Sequence, residues 1–261
     1  HSMLDLPPWL TAVLLGALEG ITEFLPVSST GHLLIAEHWL PRQSDLYNVV
    51  IQSGAVLAVL PLFRDRIGQL CRWREEASRR LISLIALSFG ITAVGGVLLD
   101  KLHFKLPESP VPVAWALITG GIAFLIVERL LKHKGLRNEH SLPMATVVGV
   151  GQLVAAVFPG SSRSGTTILA AMMAGTNRVT ATEFSFLVGI PTLLAASGLK
   201  IFKALKHGAQ EDWLMLGIAF LVAGGVSFVT VKWLLRYVQT HSFAAFGAYR
   251  IAAGALLLWV L

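Results

Sequence analysis

Residues 19–32 read EGITEFLPVSSTGH and place three ionisable side chains, Glu19, Glu23 and His32, among apolar, small and hydroxylic neighbours. Both flanks are apolar: Pro8 to Leu18 carries no charge, and His32 is followed by Leu33-Leu34-Ile35-Ala36. Glu19 and Glu23 are four apart, so on a helix they share one face a turn from each other. Pro26 donates no N–H and restricts its predecessor, which predicts that this helix ends near Leu25. Ser28, Ser29 and Thr30 are good N-cap residues for a second helix starting near Gly31. Two carboxylates thus close one half-helix, and a hydroxyl cluster with a histidine opens the next.

The surroundings of this stretch are those of a membrane protein. Charged residues are 14% of the 261, hydrophobic residues 54%, and mean hydropathy is +0.68; soluble domains carry about 25% charged residues. One membrane domain over residues 4–261 accounts for the length, and His1-Ser2 before Met3 reads as a cloning remnant. The single cysteine, Cys71, rules out an internal disulfide and a cysteine-ligated metal. The net charge of +6 is read as basic cytoplasmic loops, not as a nucleic-acid surface. Spans are predicted at 46–63, 81–99, 111–127, 183–202, 213–231 and 243–261, with basic loops at 64–80 and 128–141 and a polar loop at 100–110.

A second interrupted region, 143–176, breaks at FPGSSRSG and matches the first at an offset of 133. Gly16 aligns with Gly149, Glu19 with Gln152, Pro26 with Pro159, and Ser28-Ser29 with Ser161-Ser162. Three apolar spans follow each break. The expected fold is therefore all-α, two inverted repeats (about 4–131 and 142–261), with six full transmembrane helices and two re-entrant helical hairpins. That topology puts thirteen of the 21 basic residues on one face, including Arg64 to Arg80, and six, Lys105 among them, on the other. The more basic face is then cytoplasmic. Eight full crossings remain the alternative on hydropathy alone.

The second motif, PGSSRSGTT at 159–167, combines a break, small residues and Arg163. Non-helical backbone inside a bilayer persists only where protein buries it or it lines a wet cavity. An unpaired intramembrane arginine costs roughly 3 kcal/mol, so Arg163 reads as a ligand contact, and N–H groups opening a helix beside it make an anion site. Arg250 reads instead as a snorkelling or carboxylate-paired side chain. Carboxylates from one half meeting an arginine and hydroxyls from the other suit phosphoryl chemistry, with glutamates tuning a proton or holding a divalent cation. A transporter or lipid flippase would use the same carboxylates as proton or ion relays.

EGITEFLPVSSTGH and PGSSRSGTT resemble the two signatures of the bacterial undecaprenyl-diphosphate phosphatases, also called bacitracin-resistance proteins. The similarity extends through VVIQSGAVLAV (49–59), EFSFLVGIP (183–191) and AYR (248–250). It implies a multi-pass enzyme of the bacterial inner membrane, its pocket open to the periplasm, that removes the terminal phosphate of undecaprenyl diphosphate and so recycles the lipid carrier for peptidoglycan. Carried over by residue, Ser29 is the nucleophile and His32 its acid–base partner, with Ser28 or a water as the other candidate attackers. Glu19 and Glu23 are the paired carboxylates, holding a divalent cation such as Mg2+ or Ca2+. Arg163 is the phosphate clamp, with Ser28, Thr30, Ser162, Ser164, Gly165 and Thr167 as further substrate contacts. The implied partners are the polyprenyl diphosphate and membrane lipids; a homodimer is compatible. The other major lipid phosphatase pattern requires an Arg-Pro pair, absent here, and a histidine where Leu169 stands.

Overall fold

The computed structural model describes residues 6–102, 109–208 and 210–261; Lys105, most of the predicted 100–110 loop and the His1-Ser2-Met3 opening lie outside them. The described residues form α1 (Pro8–Thr22), α2 (Ser29–Ala36), α3 (Asp45–Val59), a short 3-10 turn (Leu60–Phe63), α4 (Arg64–Cys71), α5 (Glu76–Lys101) and α6 (Val111–Leu131). They continue as α7 (Leu142–Val157), α8 (Arg163–Met173), α9 (Arg178–Lys206), α10 (Trp213–Thr240) and α11 (Ala244–Val260). Five of these are long and apolar enough to cross a bilayer: Asp45–Cys71, α5, α6, α9 and α10. The chain is an all-α, multi-pass membrane protein.

Several helices outrun the apolar windows that mark them in the sequence. α9 begins at Arg178 because the Asn177 side chain accepts the Thr180 N–H at 2.8 Å. Arg178 itself is held by Glu128 of α6, with Nε to Oε1 at 2.9 Å, and Glu128 Oε1 also accepts the Phe243 N–H at 2.7 Å. Polar residues therefore extend the helix past its lipid-facing length. Part of the predicted basic loop is likewise helical, as α4 and the first turn of α5.

Helices pack closely where glycines remove side chains. A Cβ at Gly16 of α1 would lie 2.5 Å from the Ala219 carbonyl of α10, and one at Gly121 of α6 would lie 2.5 Å from the Gly247 carbonyl of α11. With no water or hydrophobic effect to drive helices together in lipid, such close backbone approach supplies the packing. An aromatic floor underlies the first break, where Phe24 meets Phe186 edge-on at 5.1 Å.

Both breaks fall within this bundle. α1 stops at Thr22, three residues before the predicted Leu25, so that Glu23 is its C-cap. α2 is capped by Ser28 at φ +74°, whose Oγ accepts the Gly31 N–H at 3.3 Å. α8 is capped by Ser162 at φ +69°, whose Oγ accepts the Gly165 N–H at 3.1 Å. These are the only described non-glycine residues at positive φ, a conformation that costs of order 1–3 kcal/mol and persists only where surroundings impose it. The two serines that share this capping geometry, Ser28 and Ser162, lie one residue off the sequence offset. α7 runs two residues past the position matching Thr22, and its connection to the cap is one residue shorter.

Arg250 imposes that geometry. It is 0% exposed and neither snorkels nor meets a carboxylate. Its Nη1 donates to Pro26 O at 3.1 Å in the first break, and its Nη2 to Gly160 O at 3.3 Å and Ser161 O at 2.9 Å in the second. Further bonds reach Ala116 O at 3.1 Å and Leu117 O at 3.4 Å on α6. Ser164 Oγ adds a direct link between the breaks by donating to Leu25 O at 2.9 Å. Because a buried acceptor left unpaired costs about 1–3 kcal/mol, Arg250→Met is expected to destabilise by at least about 3 kcal/mol, a drop of roughly 6–12 °C in Tm in detergent. An unchanged Tm would show that the tips are held by something else.

Candidate active site

Where the tips meet, a cavity of about 630 Å³ opens. Glu23, Ser28, Ser29, Thr30 and Gln52 line one side of it, and Gln152, Pro159, Gly160, Ser162 and Arg163 the other. Glu23 is the node between them. Its Oε2 accepts from Ser29 Oγ at 3.0 Å and from Gln52 Nε2 at 3.1 Å, and its Oε1 from Arg163 Nη2 at 3.3 Å. A buried carboxylate needs such partners; here they come from α2, α3 and α8.

Arg163 opens α8, and its guanidinium lies against α9 at Gly189, where a Cβ would meet Nη1 at 1.9 Å. Phe24 lies beneath it, 5.5 Å from ring centroid to guanidinium carbon. Its Nε and Nη1 are buried with no partner among the described residues. A buried guanidinium with donors to spare beside a hydroxyl-lined cavity is suited to an oxyanion.

Glu19 lies one helical turn before Glu23 on α1, 2% exposed, its Oε2 unpartnered among the described residues. Two carboxyls this close repel when both are ionised, which a shared proton or a cation relieves. His32 is also set back from the cavity. Nδ1 donates to Ser28 O at 2.7 Å, leaving Nε2, in the neutral ring, to accept from the Tyr249 hydroxyl at 2.7 Å. Ser29 is bonded to Glu23, not to His32.

Ser164 and Thr167 are fully buried. Thr167 donates to Arg163 O at 2.7 Å and meets Ser185 Oγ at 2.5 Å, fastening α8 to α9. Gly165 faces a second cavity, about 510 Å³, on the far side of the second tip. Of the residues singled out in the sequence, the structure therefore brings Glu23, Ser28, Ser29, Thr30, Ser162 and Arg163 to the cavity wall, with Glu19, His32, Ser164, Gly165 and Thr167 behind it.

A family model, "Bacitracin resistance protein BacA", matches residues 12–256. The chain belongs to this family. It is 52% identical over 255 residues, 96% of each chain, to a protein of Rhizobium leguminosarum bv. trifolii named "Undecaprenyl-diphosphatase". Proteins of the same name from Xylella fastidiosa and Xanthomonas euvesicatoria are 51% and 46% identical, covering 95% and 96% of this chain and 97% of each of theirs.

Four residues of this family member's site escaped the sequence reading. Gln52 carried a usable signal, a lone amide inside the apolar run 49–59. Gln152 carries no signal beyond its alignment with Glu19 at the offset of 133. Gly189 and Tyr249 act through contacts across the fold that no local pattern announces. Gly189→Ala is expected to displace the Arg163 guanidinium and lower turnover at least about tenfold, a little over 1 kcal/mol of transition-state binding, with folding retained. Gly198→Ala, whose Cβ meets nothing within 4 Å, is the control; equal activity of the two variants would contradict the role given to Gly189.

Proposed function

We propose that the protein hydrolyses undecaprenyl diphosphate to undecaprenyl phosphate and inorganic phosphate, returning the lipid carrier to cell-wall synthesis. The observation that carries this reading is the Glu23 carboxylate, which joins a hydroxyl nucleophile on one tip to a cation with spare donors on the other. The name shared by its relatives supports the same substrate.

In the proposed reaction Arg163 binds the terminal phosphate through its guanidinium and neutralises charge that grows on the equatorial oxygens. Glu23 accepts the Ser29 proton as Oγ attacks the terminal phosphorus. The bridging P–O bond breaks and undecaprenyl phosphate leaves; water then cleaves the phosphoserine and releases inorganic phosphate. Gln52 keeps Glu23 aimed at Ser29. His32, held by Ser28 O and Tyr249, fixes the first turn of α2 and with it the Ser28–Ser29 backbone. Glu19 and Glu23 fit a divalent cation, since Mg2+ is commonly held by one or two carboxylates with substrate phosphates completing its shell, and Glu19 Oε2 is a buried oxygen without a partner among the described residues. Such a cation, held by Glu19 and Glu23, would supply Lewis-acid polarisation of the phosphoryl oxygens.

The reading includes an inverted repeat of six spans and two re-entrant hairpins in the bacterial inner membrane, with the cavity open to the periplasm. The paired serine caps support the repeat. Helix length supports re-entry: at 1.5 Å per residue α1 and α2 reach only ~22 and ~12 Å, short of a ~30 Å core. Charge supports the orientation, because the face bearing Arg64 to Arg80 is the more basic.

The test is phosphate release from undecaprenyl diphosphate by purified protein, with Mg2+ or with chelator. Ser29→Ala, Glu23→Gln and Arg163→Ala are each expected to lower turnover by at least about a hundredfold. Release that survives Ser29→Ala would move the attack to Ser28 or water, and no release by the wild type would overturn the reading.

A further inference from the structure

Gln152 of α7 stands on the cavity wall across from Ser29, and both line the space that Glu23 and Arg163 share. It is 4% exposed. Its Nε2 donates to the Thr92 hydroxyl of α5 at 2.9 Å. That hydroxyl has a single proton, which is directed at helix carbonyls, Ser88 O at 2.9 Å and Gly149 O at 3.3 Å. Thr92 Oγ1 can therefore only accept from Gln152, which fixes the end of the amide that faces it. The amide oxygen, Oε1, is turned the other way, buried and without a partner among the described residues. A buried acceptor of this kind has to be met by a donor. Other polar groups lining the cavity are already engaged: Ser162 Oγ accepts the Gly165 N–H at 3.1 Å, and Thr192 Oγ1 donates to Val188 O at 2.8 Å. Asp100 also lines the cavity, but it stands near the end of α5, about 12 Å along the helix from Thr92.

We infer that Gln152 positions the water that cleaves the phosphoserine, its Oε1 accepting one of that water's O–H bonds. The inference rests on the hydrolase reading with Ser29 as nucleophile and supplies a group that the second half of that reaction needs. Phosphoryl oxygens are acceptors and cannot satisfy Oε1, whereas water donates to it. The placement also suits the step. In phosphoryl transfer the attacking and leaving oxygens lie roughly in line through phosphorus. Phosphorus bonded to Ser29 Oγ is thus attacked from the side facing away from Ser29. That side is the one undecaprenyl phosphate has just vacated, and Gln152 borders it. The water oxygen bonds to phosphorus and the P–Oγ bond breaks. Glu23 returns to Oγ the proton it took in the first half, and both protons of the water leave on the phosphate as dihydrogen phosphate. An amide is too weak a base to take a proton in this step, so Gln152 is a positioning residue, as the glutamine that orients the attacking water is in GTP hydrolysis. Thr92 positions Gln152 in turn.

The test uses the whole protein in detergent with farnesyl diphosphate radiolabelled in its terminal phosphate, quenched during the first turnovers. Farnesyl phosphate reports attack by Ser29, labelled protein reports the phosphoserine, and labelled inorganic phosphate reports its cleavage. Gln152→Met keeps the length of the side chain and removes the amide. It is expected to form farnesyl phosphate in the first turnover within about twofold of the wild-type rate, while phosphate release falls at least about tenfold and label accumulates on Ser29. Thr92→Val, which leaves the amide free to turn, is expected to shift the balance in the same direction by a smaller factor. A side chain that only fastened α7 to α5 would slow both steps alike. Equal losses in Gln152→Met would therefore overturn the inference, as would unchanged phosphate release. Phosphate release without label ever appearing on wild type or variant would overturn it too, because water would then attack the diphosphate directly. No release by the wild type refutes the hydrolase reading and the inference with it; release by the wild type with both steps equally affected in the variant refutes the role of Gln152 alone.

Discussion

Two helix breaks inside an apolar bundle leave carbonyl groups that no bilayer can satisfy, and the Arg250 guanidinium accepts responsibility for both. It donates to Pro26 O in one break and to Gly160 O and Ser161 O in the other. Backbone polar groups at membrane depth must be paired within the protein, so this one side chain couples the position of the first tip to that of the second. The positive-φ serines follow from the same constraint. Ser28 and Ser162 turn the chain into α2 and α8 while capping N–H groups that would otherwise be unpaired.

Once the tips are fixed, the charges between them have a definite relation. Glu23 and Arg163 are each mostly buried, with side chains 5% and 12% exposed. Neither is comfortable alone in such a setting, and their bond is single, through Nη2 only. The guanidinium therefore compensates Glu23, while its Nε and Nη1 are buried without a partner among the described residues. Gly189 is part of this arrangement, because it gives the guanidinium the room that any larger residue would occupy. On the proposed reading a diphosphate completes the electrostatic set, which explains why a cation, a carboxylate and hydroxyls are placed together in a membrane at all.

Much of this was legible in the chain. Pro26 and Pro159 announced the breaks, the polar residues within apolar runs announced the cavity, and five of the six apolar windows located helices long enough to span, while the window 243–261 falls on the shorter α11. What escaped was set by tertiary contact. Arg250 gave no local sign that its partners would be carbonyls, since that depends on α11 crossing both tips. The shared capping role of Ser28 and Ser162 was hidden because α7 is longer than α1 and its connection shorter. Thr167 looked like a donor by its place in the motif, yet the helical phase of α8 turns it toward Ser185 of α9. The family resemblance makes His32 the partner of Ser29; in the structure Tyr249, remote in sequence, holds its second ring nitrogen.

The central claim is that the two tips form a single catalytic unit through Glu23 and Arg163. A double-mutant cycle on phosphate release, comparing Glu23→Gln, Arg163→Ala and the pair, tests it most directly. Residues acting as a unit lose their effect together, so the double variant should be nearly as active as the poorer single variant. Losses that multiply across the pair would mean that the two tips contribute independently and would contradict the account.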